Sequence, residues 1–203
     1  MELKEGVKVL RTNVKGKNNF LELPNESINY DLNIKINGSN NKIIIGNSAN
    51  LKKVTFEIEG NDNLIRIGDK CRILNGKIAT HRNAKIVLGN ETSIREALLL
   101  AKDGKQIEIG QDCMFSTGIK LRTTDSHPML DAVTKERVNL DDDIHIGNHV
   151  WVGMDVTILK GTVIPDGCIV GASSVINRKF DQKNCVIAGF PAQIVKTGVT
   201  WDR

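Results

Sequence analysis

Thr124-Asp125-Ser126-His127-Pro128 holds the side chains of this chain best suited to moving a proton. A histidine titrates near neutrality, so one imidazole can take a proton in one step and return it in the next. Asp125 could hold the second ring nitrogen, as an acidic or carbonyl partner does for a working histidine. It could equally cap the corner on which it sits. Trp151 follows His127 by 24 residues and comes directly after Val150. It therefore falls on an outward phase, where an indole either lines a ligand channel or anchors a contact between copies.

These residues must be positioned by a repeat. An aliphatic residue recurs every sixth position through Ile146, Val152, Ile158, Ile164, Val170 and Ile176, with Val150, Val156, Thr162, Cys168 and Ser174 at the fourth position after successive anchors. No helix has that period. Strand side chains alternate faces, so each anchor and the residue two before it point inward, with one turn per six residues. The pattern predicts a parallel β-helix in which each short strand stacks on the one a full coil away. A looser repeat precedes it: Gly16-Lys17-Asn18-Asn19, Gly38-Ser39-Asn40-Asn41 and Gly60-Asn61-Asp62-Asn63 lie 22 residues apart, each before an aliphatic strand. Asn and Gly suit such corners because both tolerate positive φ.

The phase runs on through Ile109, Phe115 and Leu121, and the next anchor would be His127. Burying His127 and Asp125 without partners would cost about 1 to 3 kcal/mol each, so the coil must change course there. Pro128 enforces the change, because it cannot donate to a ladder. Irregular coils are expected over about 16–125, a projecting loop over about 126–143, regular hexapeptide coils over 144–179 and a C-terminal tail over 180–203. The first residues are expected to form a polar cap or to fray, since an end coil otherwise exposes a sheet edge. One all-β domain over 1–203 is the simplest count.

Composition excludes several classes. Aromatics make up 4% of the 203 residues, as suits a narrow core of aliphatic layers, and the net charge of +4 comes without a basic run or an aromatic-basic stripe for nucleic acid. The N-terminal stretch carries no signal-like apolar core and no apolar run reaches membrane-spanning length, which points to a cytoplasmic protein with no membrane insertion. Cys71, Cys113, Cys168 and Cys185 form no CxxC pair and are expected to be buried structural thiols.

Thr124–Pro128, followed by a loop and then Ile146-Gly147-Asn148-His149-Val150-Trp151-Val152-Gly153, resembles the hexapeptide-repeat acyltransferases that use acetyl-CoA. The similarity is greatest to the galactoside and maltose acetyltransferases and to bacterial capsule (polysialic acid) O-acetyltransferases. It covers about residues 104–196 and ends in Gly189-Phe190-Pro191-Ala192, which is similar to the family's G-x-P-A closing motif. The resemblance implies a left-handed parallel β-helix, a homotrimer, and acetyl transfer to a saccharide hydroxyl. His127 matches the catalytic histidine, and Trp151 the residue lining the acyl channel. The N–H of Gly153 is one candidate for stabilising the developing oxyanion. Coenzyme A carries phosphates that call for cations, and Lys160, Arg178, Lys179 and Lys196 lie on the final coils where the family binds it. Gly171, Ala172 and Ser173 match the segment of close approach to the pantetheine arm. Gln193 departs from the pattern, since many members carry Arg or Lys there.

The resemblance leaves N-acetylation of an amino sugar or antibiotic open, and from a different class a non-catalytic scaffold, against which the loop at His127 counts. A zinc site like that of the γ-class carbonic anhydrases is not expected: His145 and His149, four apart, would share the face of a helix but not of a six-residue coil, and His81 lies in a different coil. Val163, Ile169 and Val175 are outward and aliphatic, and read as a stripe they would mark an interface between copies.

Overall fold

The computed structural model describes residues 8–24 and 29–203. The cap expected at the first residues falls largely outside them. Among the described residues there is no helix, and the chain is a parallel β-solenoid with three faces. Face A is a separate seven-stranded sheet running from Phe20–Glu22 to Val163–Ile164. Faces B and C are joined because Asn50–Glu59 rounds a corner, pairing with Arg72–Ile73 through its first residues and with Gly76–His81 through the rest. Face B continues through Ser93–Ile94, Met114–Phe115, Trp151–Val152 and Ile169–Val170. Face C continues through Ala97–Lys102, Ile119–Arg122, Thr157–Leu159 and Val175–Ile176.

The six-residue anchors are the core. Ile146, Val152, Ile158, Ile164, Val170 and Ile176 are all buried, as are the small residues at the fourth position, Val150, Val156, Thr162, Cys168 and Ser174. The earlier corners use the chemistry their residues suggest. Asn18, Asn40 and Asp62 have φ of 55°, 60° and 61°. Beside them a ladder of amides points inward: Asn41 Nδ2 donates to Asn19 Oδ1 at 3.0 Å and Asn63 Nδ2 to Asn41 Oδ1 at 2.9 Å. Each amide satisfies the next, so Asn41 and Asn63 stay buried without loss.

Two expectations need correction. Val163, Ile169 and Val175 do not form one stripe: they lie on faces A, B and C respectively, because six residues make one face and the seventh turns the corner. The stacking also runs beyond residue 179. Cys185–Gly189 pairs in parallel with Ile169–Val170 on face B and then forms an antiparallel hairpin with Ala192–Thr197. That added rung brings Cys185 Sγ to 3.5 Å from Cys168 Sγ. All four cysteines are buried free thiols, and burial pushes those of Cys71 and Cys113 up to about 11 and that of Cys185 up to about 12.

Candidate functional site

The solenoid breaks between Ile119–Arg122 on face C and Ile144–Ile146 on face A. Rungs on either side still stack in register, Ile107 on Ile144 and Met114 on Trp151, although these partners are 37 residues apart where neighbouring coils need 17 to 22. The surplus is the expected loop, which leaves from the corner between faces C and A. Thr123 and Thr124 are buried at its foot, and from Asp125 to Leu130 every residue is exposed. Ser126 takes a φ of 70°, its N–H donates to Thr124 Oγ1 at 3.0 Å, and Arg122 donates to its hydroxyl at 2.7 Å. This turn presents His127 outward.

Asn139 holds the loop together. Its Nδ2 donates to Asp125 Oδ2 at 2.8 Å and to the His127 carbonyl at 2.9 Å, while its Oδ1 accepts the Met129 N–H at 2.6 Å. It is 5% exposed, a buried amide with its bonds satisfied. Nothing in Arg137-Val138-Asn139-Leu140 singles it out in sequence, since a loop asparagine is ordinarily a turn residue.

Asp125 lies close by in sequence but not on the imidazole. Among the described residues its carboxylate is taken by Lys160 Nζ and Asn139 Nδ2. The Lys160 hydrogen bond, against a smaller opposing effect of burial and with help from Asn139, holds the carboxyl below the usual range. Lys160, expected among the cofactor cations, is thus committed to the loop: besides Asp125 it donates to the Asn139 carbonyl at 3.0 Å.

Trp151 stands on face B, opposite the corner that carries His127. It is 38% exposed and forms one end of a groove of about 420 Å³ with Arg72, Ser93, Arg95, Met114 and Ser116. The other expected residues divide between the same two places. Gly153, Gly171, Ala172 and Ser173 lie at the corner between faces B and C, beside Trp151, whereas Lys160, Arg178 and Lys179 lie between faces C and A, on the side of His127. Lys196 is exposed on the outer strand of the hairpin at face B.

The N–H of Gly153 is not free for an oxyanion, because it donates to the Val170 carbonyl at 2.8 Å as part of the coil stacking. A Cβ there would meet Ala172 N at 2.8 Å, so Gly153 is required by the approach of the next coil. His145 and His149 diverge as expected, the first bonding Glu108 on face A at 3.1 Å, the second Asp112 at 2.7 Å. His149 also meets the carbonyl of Trp201 through Nε2 at 3.1 Å. No sequence pattern had tied Trp201 to this region, since the contact spans 52 residues.

The model for "Bacterial transferase hexapeptide (six repeats)" matches residues 143–178. The crystal structure of the polysialic acid O-acetyltransferase OatWY superposes with a TM-score of 0.92 at 34% identity, covering 95% of this chain and 91% of that one. The chain belongs to the hexapeptide-repeat transferases. Within that family, the structure of the polysialic acid-specific acetyltransferase NeuO also matches, at a TM-score of 0.91 and 30% identity, covering 96% of this chain and 89% of the other. A polysialic acid O-acetyltransferase of Escherichia coli O1:K1 / APEC is 34% identical over 64% of this chain and 42% of its own length. One of Neisseria meningitidis is 36% identical over 59% and 53%. The match thus spans about half the length of these curated relatives.

Proposed function

We propose that this hexapeptide-repeat transferase is an acetyl-CoA-dependent O-acetyltransferase that acetylates a hydroxyl of a capsular or other surface saccharide of the sialic acid type. Similarity to a polysialic acid O-acetyltransferase over nine-tenths of both chains carries the reading. The residues fit the donor: Ala172 and Ser173 are small and exposed, leaving the backbone open to a pantetheine arm, and Arg178, Lys179 and Lys196 form no ion pair among the described residues, leaving them available to phosphates.

Acetyl-CoA would supply the activated thioester, and this chain the proton transfers. His127 takes the hydroxyl proton as the saccharide oxygen bonds to the acetyl carbon, and as the carbon–sulfur bond breaks the imidazolium returns that proton to sulfur. Acetyl ends on the saccharide and coenzyme A leaves as its thiol, in one ternary complex and without a covalent enzyme intermediate. Asp125 acts through Lys160 and Asn139 on the foot of the loop, not through the ring.

The working unit is a cytoplasmic homotrimer. Its support is the division of the candidate residues between two sides of the solenoid: His127 and Trp151 can line one site only if they come from different copies. The loop further exposes Met129, Leu130, Val133, Val138 and Leu140, with Val133 at 88%, an apolar surface suited to covering a neighbour. No helix among the described residues is long and apolar enough to cross a membrane. The test is thiol release from acetyl-CoA with a panel of sugars and sialic acid polymers. Release with sialic acid polymers is expected, and none with any saccharide sinks the reading.

A further inference from the structure

Residues Trp201–Arg203 return along the corner between faces A and B as a strap. The Trp201 ring stacks on His149 with centroids 4.3 Å apart and planes within 8°, and its Nε1 donates to the His149 carbonyl at 2.9 Å. Both ring nitrogens of His149 face oxygen, Asp112 Oδ2 at 2.7 Å and the Trp201 carbonyl at 3.1 Å, so neither is left for proton transfer. Arg203 adds bonds to Asp112 Oδ1 at 2.9 Å, Ser93 Oγ at 3.1 Å, and the carbonyls of Glu91 and Cys113 at 3.0 and 3.1 Å. Burial would raise the Asp112 carboxyl, but the hydrogen bonds from His149 and Arg203 outweigh it and leave it below the usual range.

The strands beneath this fastening are already paired. Met114–Phe115 is already paired on both sides, with Ser93–Ile94 and Trp151–Val152, and Trp151–Val152 is paired beyond with Ile169–Val170. Phe115 and Val152 are buried beneath. The strap adds no strand and closes no core layer. What it touches is the groove: Ser93 is part of the lining, and the Trp201 ring lies 6.3 Å from that of Trp151, tilted by 50°. An aromatic pair at that separation and tilt holds a preferred geometry. Along its own row Trp151 is flanked by Met114 and Ile169.

We infer that Trp201 is a positioning residue for the transfer, the strap fixing the Trp151 indole where it lines the site for the acetyl donor. His149 and Asp112 serve as its fastening. The inference rests on the proposed acetyl transfer, and the test separates the two.

Trp201→Ala is expected to raise the KM for acetyl-CoA by about 3- to 10-fold, the range an aromatic pair of this kind supports, with kcat nearly unchanged. Trp201→Phe, which keeps a ring on His149, should restore KM to within about twofold. A KM for the assembled Trp201→Ala protein equal to that of the unmodified one overturns the inference. If that variant fails to assemble, Arg203→Ala replaces it, with the same expected rise and the same overturning result. Trp151 and Trp201 are the only tryptophans, so in Trp201→Phe the emission is that of Trp151 alone. Adding Arg203→Ala to that background should shift the emission to longer wavelength as the indole loosens into water. This readout needs no turnover, so a protein inactive on every saccharide refutes the function while the emission still decides the strap. An unshifted emission refutes the strap.

Discussion

Lys160 Nζ donates both to Asp125 Oδ2 and, at 3.0 Å, to the Asn139 carbonyl, which ties the coil after the loop to the foot of the loop that carries His127. An imidazole on such a loop is placed only as well as its foot is held, and a misplacement of about 1 Å can cost 10²-fold in rate. Lys160→Met and Asn139→Ala should therefore lower kcat by up to about 10², with donor affinity little changed. Equal kcat in both variants and the unmodified protein would remove the loop foot from the mechanism.

The same contact sets an acid limit. The Asp125 carboxyl is held below its ordinary range, chiefly by Lys160. A depressed carboxyl contributes its anchoring fully above the ordinary range of about 4 and loses it as the pH falls through the depressed value. The loop should resist pepsin to a lower pH than an unassisted carboxylate would allow, and Lys160→Met should move the onset of cleavage within residues 126–143 to higher pH. An onset that stays where it was would mean that Asp125 does not anchor the loop.

His127→Ala should leave the fold and donor affinity nearly intact, since the side chain is exposed at the start of a loop. The rate should fall by about 10² to 10⁴, the usual worth of a positioned general base. Turnover within a few-fold of the unmodified protein would exclude His127. His149 would not be the replacement, because both its ring nitrogens are engaged.

Because His127 and Trp151 lie on opposite sides of one chain, two inactive variants should complement. Refolding His127→Ala together with Trp151→Ala in equal amounts would form mixed trimers in which about a quarter of the sites join an intact His127 from one copy to an intact Trp151 from its neighbour. About a quarter of the activity per site should return, measured by thiol release. A mixture as inactive as its parts, with mixed trimers demonstrated by mass, would place both residues in separate roles. Sedimentation at the monomer mass of 22.4 kDa would rule out the trimer itself.

The coils were readable because their cause is local. One side chain in six must be aliphatic, and every anchor from Ile146 to Ile176 is buried. The place where the series fails, Asp125 and His127, also marked the loop, since the cost of burial is a property of those two side chains. The partners were not readable. Sequence spacing left Asp125 between the histidine two residues away and a corner cap, and gave no sign of Lys160, 35 residues on, which takes its carboxylate. The outward aliphatics misled because period alone does not say which face each occupies. Trp201 was invisible for the same reason in stronger form: no period relates it to His149, and only the return of the chain along the corner between faces A and B brings them together.

The rungs flanking the loop keep their register across a separation of 37 residues as faithfully as others do across 18. The solenoid is therefore indifferent to how much chain is spliced in at this corner. Closing a loop costs free energy only logarithmically in its length, each doubling adding about 0.6 kcal/mol. The corner between faces C and A can thus act as a socket for interchangeable inserts. Changing the length of the segment between Met129 and Arg137, which leaves His127 and its Asn139 and Lys160 anchors in place, should leave the stacked coils where they are, so this part of the chain could diversify without the scaffold being rebuilt.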